Sequence, residues 1–325
     1  MKLLVTGGLG FIGSNLVRWI LKHQPQVEIL NIDGLTYAGN LANLADVADN
    51  PRYHWQRIMI TDEEAVNAAF EAFKPDAVLH LAAESHVDRS IKAGLPFVAT
   101  NVLGTQTLLE AARRHGAGRF VHVSTDEVYG SAVPPDRFTE SHPVTPNSPY
   151  SASKAGSDLL ALAAYTTYGQ DVVVTRCSNN YGPYQYPEKL IPLFVTNGML
   201  GQPWPLFGDG QNVRDWIYVE DHVRALWRVL EAGRSGQVYN IGADNEQSNR
   251  DVADRLCQLM GLSTDVIQPV ADRLGHDRRY AIDASKMRNE LGWEPQVTWA
   301  EGLASTVAWY RSHTDWWTPL REASH

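Results

Sequence analysis

Cysteine is nearly absent from this chain of 325 residues: only Cys177 and Cys257 occur, 80 positions apart. Two thiols so placed form neither a disulfide framework nor a metal-ligand spacing. They suit a reducing compartment, so a cytoplasmic setting and no bound metal are expected. A basic excess is missing too. Asp and Glu number 37 against 28 Lys and Arg, a formal net charge of −9. That argues against a nucleic-acid partner, which is normally met by a broad basic surface. No run approaches the roughly 20 apolar residues of a membrane span, so no membrane partner is expected. The opening Lys2-Leu3-Leu4-Val5 reads as a strand rather than an export signal. Internal repeats and low-complexity linkers are absent as well. What remains is 44% hydrophobic and 20% charged, the composition of an ordinary globular protein with room for one large α/β unit or two joined domains.

Short β-branched runs alternate with helical patterns. Residues 2–5, 27–32, 77–81, 120–124 and 172–175 read as buried parallel strands, with helices near 11–23, 63–73, 97–115 and 150–168. This alternation predicts an α/β fold, a Rossmann-type doubly wound parallel sheet with crossover helices. From about residue 176 the rhythm breaks into Pro-, Gly- and Tyr-rich sequence of the kind that lines clefts. The run Val238 to Ile241 returns the chain to the sheet. The expected division is a dinucleotide-binding domain over 1–175 plus about 214–242. A smaller C-terminal α/β substrate lobe then takes about 176–213 and 243–325.

Gly7, Gly10 and Gly13 follow the first strand and open the first helix with the spacing Gly-x-x-Gly-x-x-Gly. Glycine there permits a tight turn and lets backbone N–H groups approach a pyrophosphate at the helix N-terminus. Asp33, 20 residues after Gly13, ends the next strand. A carboxylate in that place accepts hydrogen bonds from an adenosine ribose and repels a 2′-phosphate, which favours NAD over NADP.

Tyr150 and Lys154 are four apart at the start of a helix and share a face. An ammonium beside a phenol favours the phenolate, which can take a proton from a sugar hydroxyl as hydride leaves the same carbon. Ser124 and Thr125, at a strand end 25 residues before Tyr150, offer hydroxyls to the same substrate oxygen. Asp126 and Glu127 follow at once. As a proton donor and a proton acceptor on neighbouring carbons they would need different environments, one neutral and one ionised.

With these residues in view, the chain resembles the dTDP-glucose 4,6-dehydratases of the extended short-chain dehydrogenase/reductase superfamily. The resemblance spans essentially the whole chain. Its segments include Asp33 to Asn40, Ala82 to Ser90, Ser124 to Gly130, Tyr150 to Lys154, Asn179 to Pro183, Pro187 to Pro192, Arg214 to Trp216 and Gly275 to Tyr280. The glycine loop and the Tyr-Lys pair are shared across the superfamily. The Thr-Asp-Glu triplet and the Leu-Thr-Tyr-Ala-Gly-Asn run are narrower.

The resemblance implies NAD as a retained cofactor. It implies contacts from Gly7, Gly10, Phe11, Ile12, Gly13, Asp33, Leu35, Thr36, Ile60, Asp62, Leu81, Ala82, Ala83, Tyr150 and Lys154. It implies that Tyr150 takes the C4 hydroxyl proton while NAD accepts the C4 hydride, with Thr125 orienting the C4 oxygen. Glu127 takes the C5 proton and Asp126 protonates the departing C6 hydroxyl. Ser85, His86, Thr125, Asn179, Lys189, Leu190, Pro205, Phe207, Arg214, Asn249, Arg273 and His276 fall where the family holds the nucleotide sugar. Two positions depart from the family pattern: Met59 stands where members often carry an Asp in the segment that meets adenine, so that an adenine hydrogen bond is either lost or borne by backbone or Asp62, and Leu274 replaces a Pro before Gly275.

Other readings share parts of this set. A UDP-sugar 4-epimerase uses the fold, NAD and Tyr-Lys, but has no task for Asp126-Glu127. A UDP-glucuronate decarboxylase needs a cationic site for a C6 carboxylate. A CDP- or UDP-glucose 4,6-dehydratase differs only in base recognition, and an idle NAD-binding regulator would not need the full catalytic set. Apolar residues beyond one face of helices 97–115 and 150–168 (Leu103, Leu108, Leu109; Leu159, Leu160, Leu162) predict a homodimer, which the resemblance implies is a four-helix bundle. Trp316 and Trp317 read as packing.

Overall fold

A computed structural model of the chain describes residues 1–322. Its strands, in chain order, are β1 Lys2–Thr6, β2 Glu28–Asp33, β3 Tyr53–Arg57, β4 Ala77–His80, β5 Arg119–Thr125, β6 Val172–Cys177, β7 Asn179–Tyr181, β8 Trp204–Phe207, β9 Val213–Tyr218, β10 Val238–Ile241, β11 Glu246–Ser248 and β12 Ile267–Val270. Seven of them form one sheet in the order β10-β6-β5-β4-β1-β2-β3. Every pairing in it is parallel. The sequence dictates this. All six residues of β6 (Val-Val-Val-Thr-Arg-Cys) and all but the first of β5 are buried, so neither strand has a face for water and both must lie inside a sheet covered on two sides.

The covers are amphipathic helices. Phe11–His23 and Val219–Ala232 bring Leu16, Val17, Ile20, Val223 and Leu226 against Leu3, Val5 and Val121 on one face. Glu63–Phe73, Gly104–Arg114 and Pro149–Tyr168 bring Val66, Phe70, Leu108 and Ala161 against Leu4, Val78 and Phe120 on the other. Because β1 pairs with β2 on one side and β4 on the other, the chain order reverses at β1. The loops beyond β1 and β4 therefore diverge to opposite faces and leave a crevice at the carboxyl edge.

A second unit stands over that edge. β9 lies between antiparallel β11 and parallel β7, and β8 pairs with β12. The helices Leu190–Met199, Asn249–Met260 and Trp299–Ser312 close on Phe194, Trp204, Leu256, Leu303 and Val307. Three details differ from the sequence reading. β3 is an added edge strand whose residues after Tyr53 are exposed, so it carries no buried run to find. β9 sits in the small mixed sheet rather than with the large one, although the helix after it does pack on the large sheet. The helix expected over 97–115 contains a π-helical turn, Val98–Leu103. The buried Asn101 side chain in that turn accepts from Glu84 N at 2.8 Å, and donates to Glu84 O at 2.9 Å and Ser153 Oγ at 2.8 Å. A turn of altered pitch at such a place is commonly a site feature.

The glycine loop has two distinct spatial demands. An added Cβ on Gly13 would come within 2.7 Å of Gly8 Cα and closer still to the Gly7 carbonyl, so loop and helix can touch only through hydrogen. On Gly10 a Cβ would meet only the Gly7 carbonyl, at 3.3 Å. Gly13→Ala should therefore destabilise the fold by about 1–3 kcal/mol, as overpacking does, and Gly10→Ala should leave thermal unfolding nearly unchanged. Scanning calorimetry of the two variants checks both.

Candidate active site

The crevice is a cleft of about 310 Å³ running from the glycine loop to the ends of β5 and β6. Gly7, Gly10, Phe11, Ile12, Gly13, Asp33, Thr36, Ile60, Leu81, Ala82 and Ala83 line one end. Thr125, Asp126, Glu127, Tyr150, Lys154, Asn179, Lys189 and Ser85 line the other. The fold thus gathers into one cavity residues scattered over more than half the sequence.

The glycine end fits a dinucleotide. Gly10 caps the helix Phe11–His23 without a side chain, so the first N–H groups of that helix remain for an anion. Nothing of the protein fills the space a Cβ on Gly10 would enter, apart from the Gly7 carbonyl. Asp33 accepts from Leu9 N at 3.0 Å and Leu35 N at 2.9 Å, one bond to each oxygen. Each oxygen keeps a lone pair for a ribose hydroxyl. Two expected contacts lie elsewhere. Leu35 has φ +51° and turns its side chain to the core beneath the loop. The exposed Asp62 caps the helix Glu63–Phe73, accepting from Ala65 N at 3.0 Å, and is not in the cleft wall. Met59 does line the cleft, while Leu274 is 78% exposed.

At the other end, β5 delivers Thr125 and a 3₁₀ turn, Asp126–Tyr129, follows at once. The helix Pro149–Tyr168 is fixed by a capping box between Ser148 and Ser151 and by Pro149 in its first turn. This directs Tyr150 and Lys154 at the strand end. Tyr150 shares a hydrogen bond with the Thr125 side chain. Lys154 Nζ donates to the Val123 carbonyl at 2.8 Å. Burial, reinforced by the Glu127 charge, pushes the Tyr150 phenol well above its ordinary value, and burial lowers Lys154 to about 8. The sequence reading had the ammonium lowering the phenol. Within the protein alone burial of the phenol, with the Glu127 charge, decides the direction.

The two carboxyls separate electrostatically. Burial pushes Asp126 well above the carboxylate range, and the nearby Glu127 and Asp215 charges push the same way. Its Oδ2 is buried with no hydrogen-bond partner. A neutral acid is the state that tolerates this. Burial also raises Glu127, but Arg214, Lys189 and Arg273 pull it back. Tyr280 Oη lies 3.4 Å from Glu127 Oε2 and 2.8 Å from Asp277 Oδ2. Sequence reasoning passed over Tyr280, Asp277 and Asp215, each of which lies within a segment it had already quoted.

Most of the remaining substrate candidates fall into two groups. Arg214, Phe207, Arg273 and His276 form one cluster. The Arg214 guanidinium lies over the Tyr280 ring at 4.1 Å and that of Arg273 over Phe207 at 5.1 Å. His276 meets Phe207 edge-on at 6.4 Å and Asp272 at 2.6 Å. Arg273 also pairs with Asp88 at 2.9 Å. His86 pairs with Glu188 at 3.2 Å beside Lys189, whose Nζ donates to Ser85 O at 3.3 Å. Outside both, Leu190 packs toward the lobe core, Pro205 lies in β8, and the buried Asn249 starts a helix with its N–H on Asn212 O at 3.0 Å. No metal-binding group of acidic, His or Cys side chains occurs among the described residues.

A family model described as GDP-mannose 4,6 dehydratase matches residues 4–306. A dTDP-glucose 4,6-dehydratase from Streptomyces niveus is 52% identical over 325 residues, covering 99% of this chain and 96% of the relative. One from Neisseria meningitidis is 50% identical, covering 100% and 97%. Among solved structures, DesIV, a dTDP-glucose 4,6-dehydratase from Streptomyces venezuelae crystallised with NAD, superposes with a TM-score of 0.96 at 53% identity, covering 98% of this chain and 100% of DesIV. A UDP-glucose 4-epimerase from Thermus thermophilus in complex with NAD gives 0.89 at 32% identity, covering 96% and 100%.

The Asp126 environment predicts a stability signature. A carboxyl whose folded pKa is raised favours the folded state most below its unfolded pKa, and that contribution is lost as pH rises toward the folded value. Asp126→Asn removes the titration. The variant should melt above the parent at neutral pH, with the gap closing as pH falls toward the ordinary aspartate range. Thermal melts across pH measure it.

Proposed function

The chain belongs to the GDP-mannose 4,6 dehydratase family, and from that premise we propose that it is a dTDP-glucose 4,6-dehydratase using NAD. The observation that carries the reading is the pair of adjacent buried carboxyls, Asp126 pushed well above the carboxylate range and Glu127 raised by burial but beside three cations, opposite a Tyr-Lys pair in one cleft. NAD, when bound, supplies the hydride acceptor for C4 and later the donor for C6, and its positive charge favours the Tyr150 phenolate.

Tyr150 removes the C4 hydroxyl proton, with Thr125 holding that oxygen through its hydroxyl. The C4 ketone acidifies the C5 hydrogen. Glu127 takes that proton, because Arg214, Lys189 and Arg273 support its ionised form. Asp126 gives its proton to the departing C6 oxygen, since burial and the neighbouring Glu127 and Asp215 charges favour its protonated form. After the C6 position is reduced, the carboxyl that holds the C5 proton returns one, and the product is dTDP-4-keto-6-deoxy-glucose. Arg214, Arg273, Lys189 and His276 hold the diphosphate, where guanidinium forks suit phosphate oxygens. Gly7, Gly10, Gly13 and Asp33 hold the dinucleotide.

The same reading includes a homodimer and a cytoplasmic enzyme. No helix among the described residues is long and apolar enough to cross a membrane. Leu95, Val98 and Leu103 are exposed on the helical stretch 95–114, and Leu159, Tyr165 and Tyr168 on the neighbouring helix Pro149–Tyr168. Leu108 and Leu109, also expected at that interface, are buried in the monomer core. The exposed set supports pairing of these two helices with their copies in a four-helix bundle. Sedimentation should give twice the chain mass, and Leu159→Glu should shift it toward one. A monomeric parent would end the dimer reading.

Purified protein given dTDP-, UDP- and CDP-glucose separately should remove one water from dTDP-glucose alone, read by mass spectrometry. Loss from another nucleotide would move the substrate and keep the chemistry. Epimerisation without water loss would favour the 4-epimerase reading. Tyr150→Phe should lose C4 oxidation itself, by roughly the 10²–10⁴ that a positioned acid/base contributes. Glu127→Gln and Asp126→Asn should still reduce bound NAD in a single turnover but not eliminate water. Normal dehydration by both would overturn their assignment.

A further inference from the structure

The tryptophan pair near the C-terminus divides in role. Trp317 is buried in the lobe core, and its Nε1 donates to the Tyr310 carbonyl at 2.9 Å. Trp316 reaches the other half of the molecule. Its Nε1 donates to Asn43 Oδ1 at 2.8 Å, in the 3₁₀ segment Leu41–Val47. Asn43 is buried, and its Nδ2 donates to the Leu9 carbonyl at 2.8 Å. Leu9 lies inside the glycine loop. One carboxamide thus joins the last helix, Thr314–Glu322, to the turn between Gly7 and Gly13.

The chemistry of the three groups makes this bridge directional. An indole N–H only donates and a backbone carbonyl only accepts. The Asn43 amide must therefore turn its oxygen to Trp316 and its NH₂ to Leu9. Without the indole, the Asn43 oxygen loses its donor, and only the NH₂ bond to the Leu9 carbonyl, which also accepts from Asn40 N at 3.1 Å, still orients the amide. The same region braces the facing wall of the cleft: Tyr310 Oη donates to the carbonyl of Gln185, a cleft-lining residue. Trp316 also packs edge-on to Tyr184 at 5.5 Å. Tyr184 itself has φ +67°, a conformation its side chain disfavours and its neighbours must hold.

We propose that Trp316 is a positioning residue for the dinucleotide: through the Asn43 amide it fixes the Leu9 carbonyl and the glycine loop, and so slows release of the cofactor. The proposal rests on the reading that this cleft holds NAD. A reaction that oxidises and then reduces the same sugar ends with NAD as it began. Retention then costs no turnover, and a clasp on the loop is compatible with catalysis.

The test uses full-length protein loaded with NAD. Trp316→Phe keeps the ring and deletes only the donor. Trp317→Phe deletes the corresponding donor in the lobe core and serves as control. NAD release after dilution is followed with a dehydrogenase trap. Trp316→Phe should release NAD roughly fivefold faster, the scale of one neutral hydrogen bond, with the melting temperature of the NAD-free protein lowered no more than in Trp317→Phe and the Trp317→Phe release rate at the parent value. Unchanged release from Trp316→Phe overturns the proposal. So does faster release matched by Trp317→Phe, or a loss of NAD-free stability well beyond that of Trp317→Phe, since either would mark a purely structural role. Parent protein that neither retains nor takes up NAD would overturn the cofactor reading itself, and the proposal with it.

Discussion

A lysine ammonium withdrawn from water is the constraint around which the site is arranged. Lys154 is buried and its pKa is held near 8 by desolvation. Its charge has to be met from within. Asp158, one turn further along the same helix, opposes the loss. Burial works against the Asp158 charge as well, but a hydrogen bond from His122 and the nearby Arg176 outweigh it and keep its pKa low. The Arg176–Asp158 pair, at 2.9 Å, has almost no exposure. Arg176 in turn lies over the Tyr129 ring at 4.6 Å, and the Tyr129 hydroxyl donates to Asn240 on β10 at 2.8 Å. His122, pushed down to about 4 by burial, stays neutral and adds no second cation. Breaking such a buried network is expensive, because any one deletion strands a charge.

The cofactor end and the acid/base end depend on different parts of the chain. The glycine loop and Asp33 are products of the large sheet, where strand order reverses. The charges that separate Asp126 from Glu127 come largely from the second unit: Arg214 and Asp215 from β9, Lys189 from the start of a lobe helix, and Arg273 from the loop after β12. The sheet therefore provides dinucleotide geometry; burial raises both carboxyls, and the lobe cations hold Glu127 back more than Asp126.

Much of this was legible in the sequence. Buried strands such as β5 and β6 announce themselves through β-branched runs, and the glycine spacing, the Tyr150-Lys154 pair and the Thr-Asp-Glu triplet are local signals. What escaped is what depends on contacts. β3 pairs through its backbone while its side chains stay polar and exposed, so composition does not mark it. β9 has strand character, but only pairing decides which sheet takes it. Leu108 and Leu109 look like interface residues by helical position, yet the sheet covers them. Asp62 sits near the adenine end by numbering, and its carboxylate is used to cap a helix. The effect of Lys154 on Tyr150 was inferred from proximity along a helix, whereas burial of the phenol decides the direction.

Neighbouring residues rarely occupy opposed electrostatic settings, and the local geometry shows how these two do. Asp126 and Glu127 open a 3₁₀ turn capped by Thr125, whose hydroxyl accepts from Glu127 N at 3.3 Å. With about three residues per turn, successive side chains diverge by roughly 120°. An extended strand would send them to opposite faces of the sheet, with one lost to the site. An α-helix would need two or three residues between two groups on one face. The tight turn instead keeps both in the cleft while aiming Asp126 toward Asp215 and Glu127 toward the cations of the lobe. Chemistry that must place a base and an acid on adjacent carbons gains from this. The short separation of the two groups follows from their being consecutive in the chain, and their different proton affinities follow from the turn.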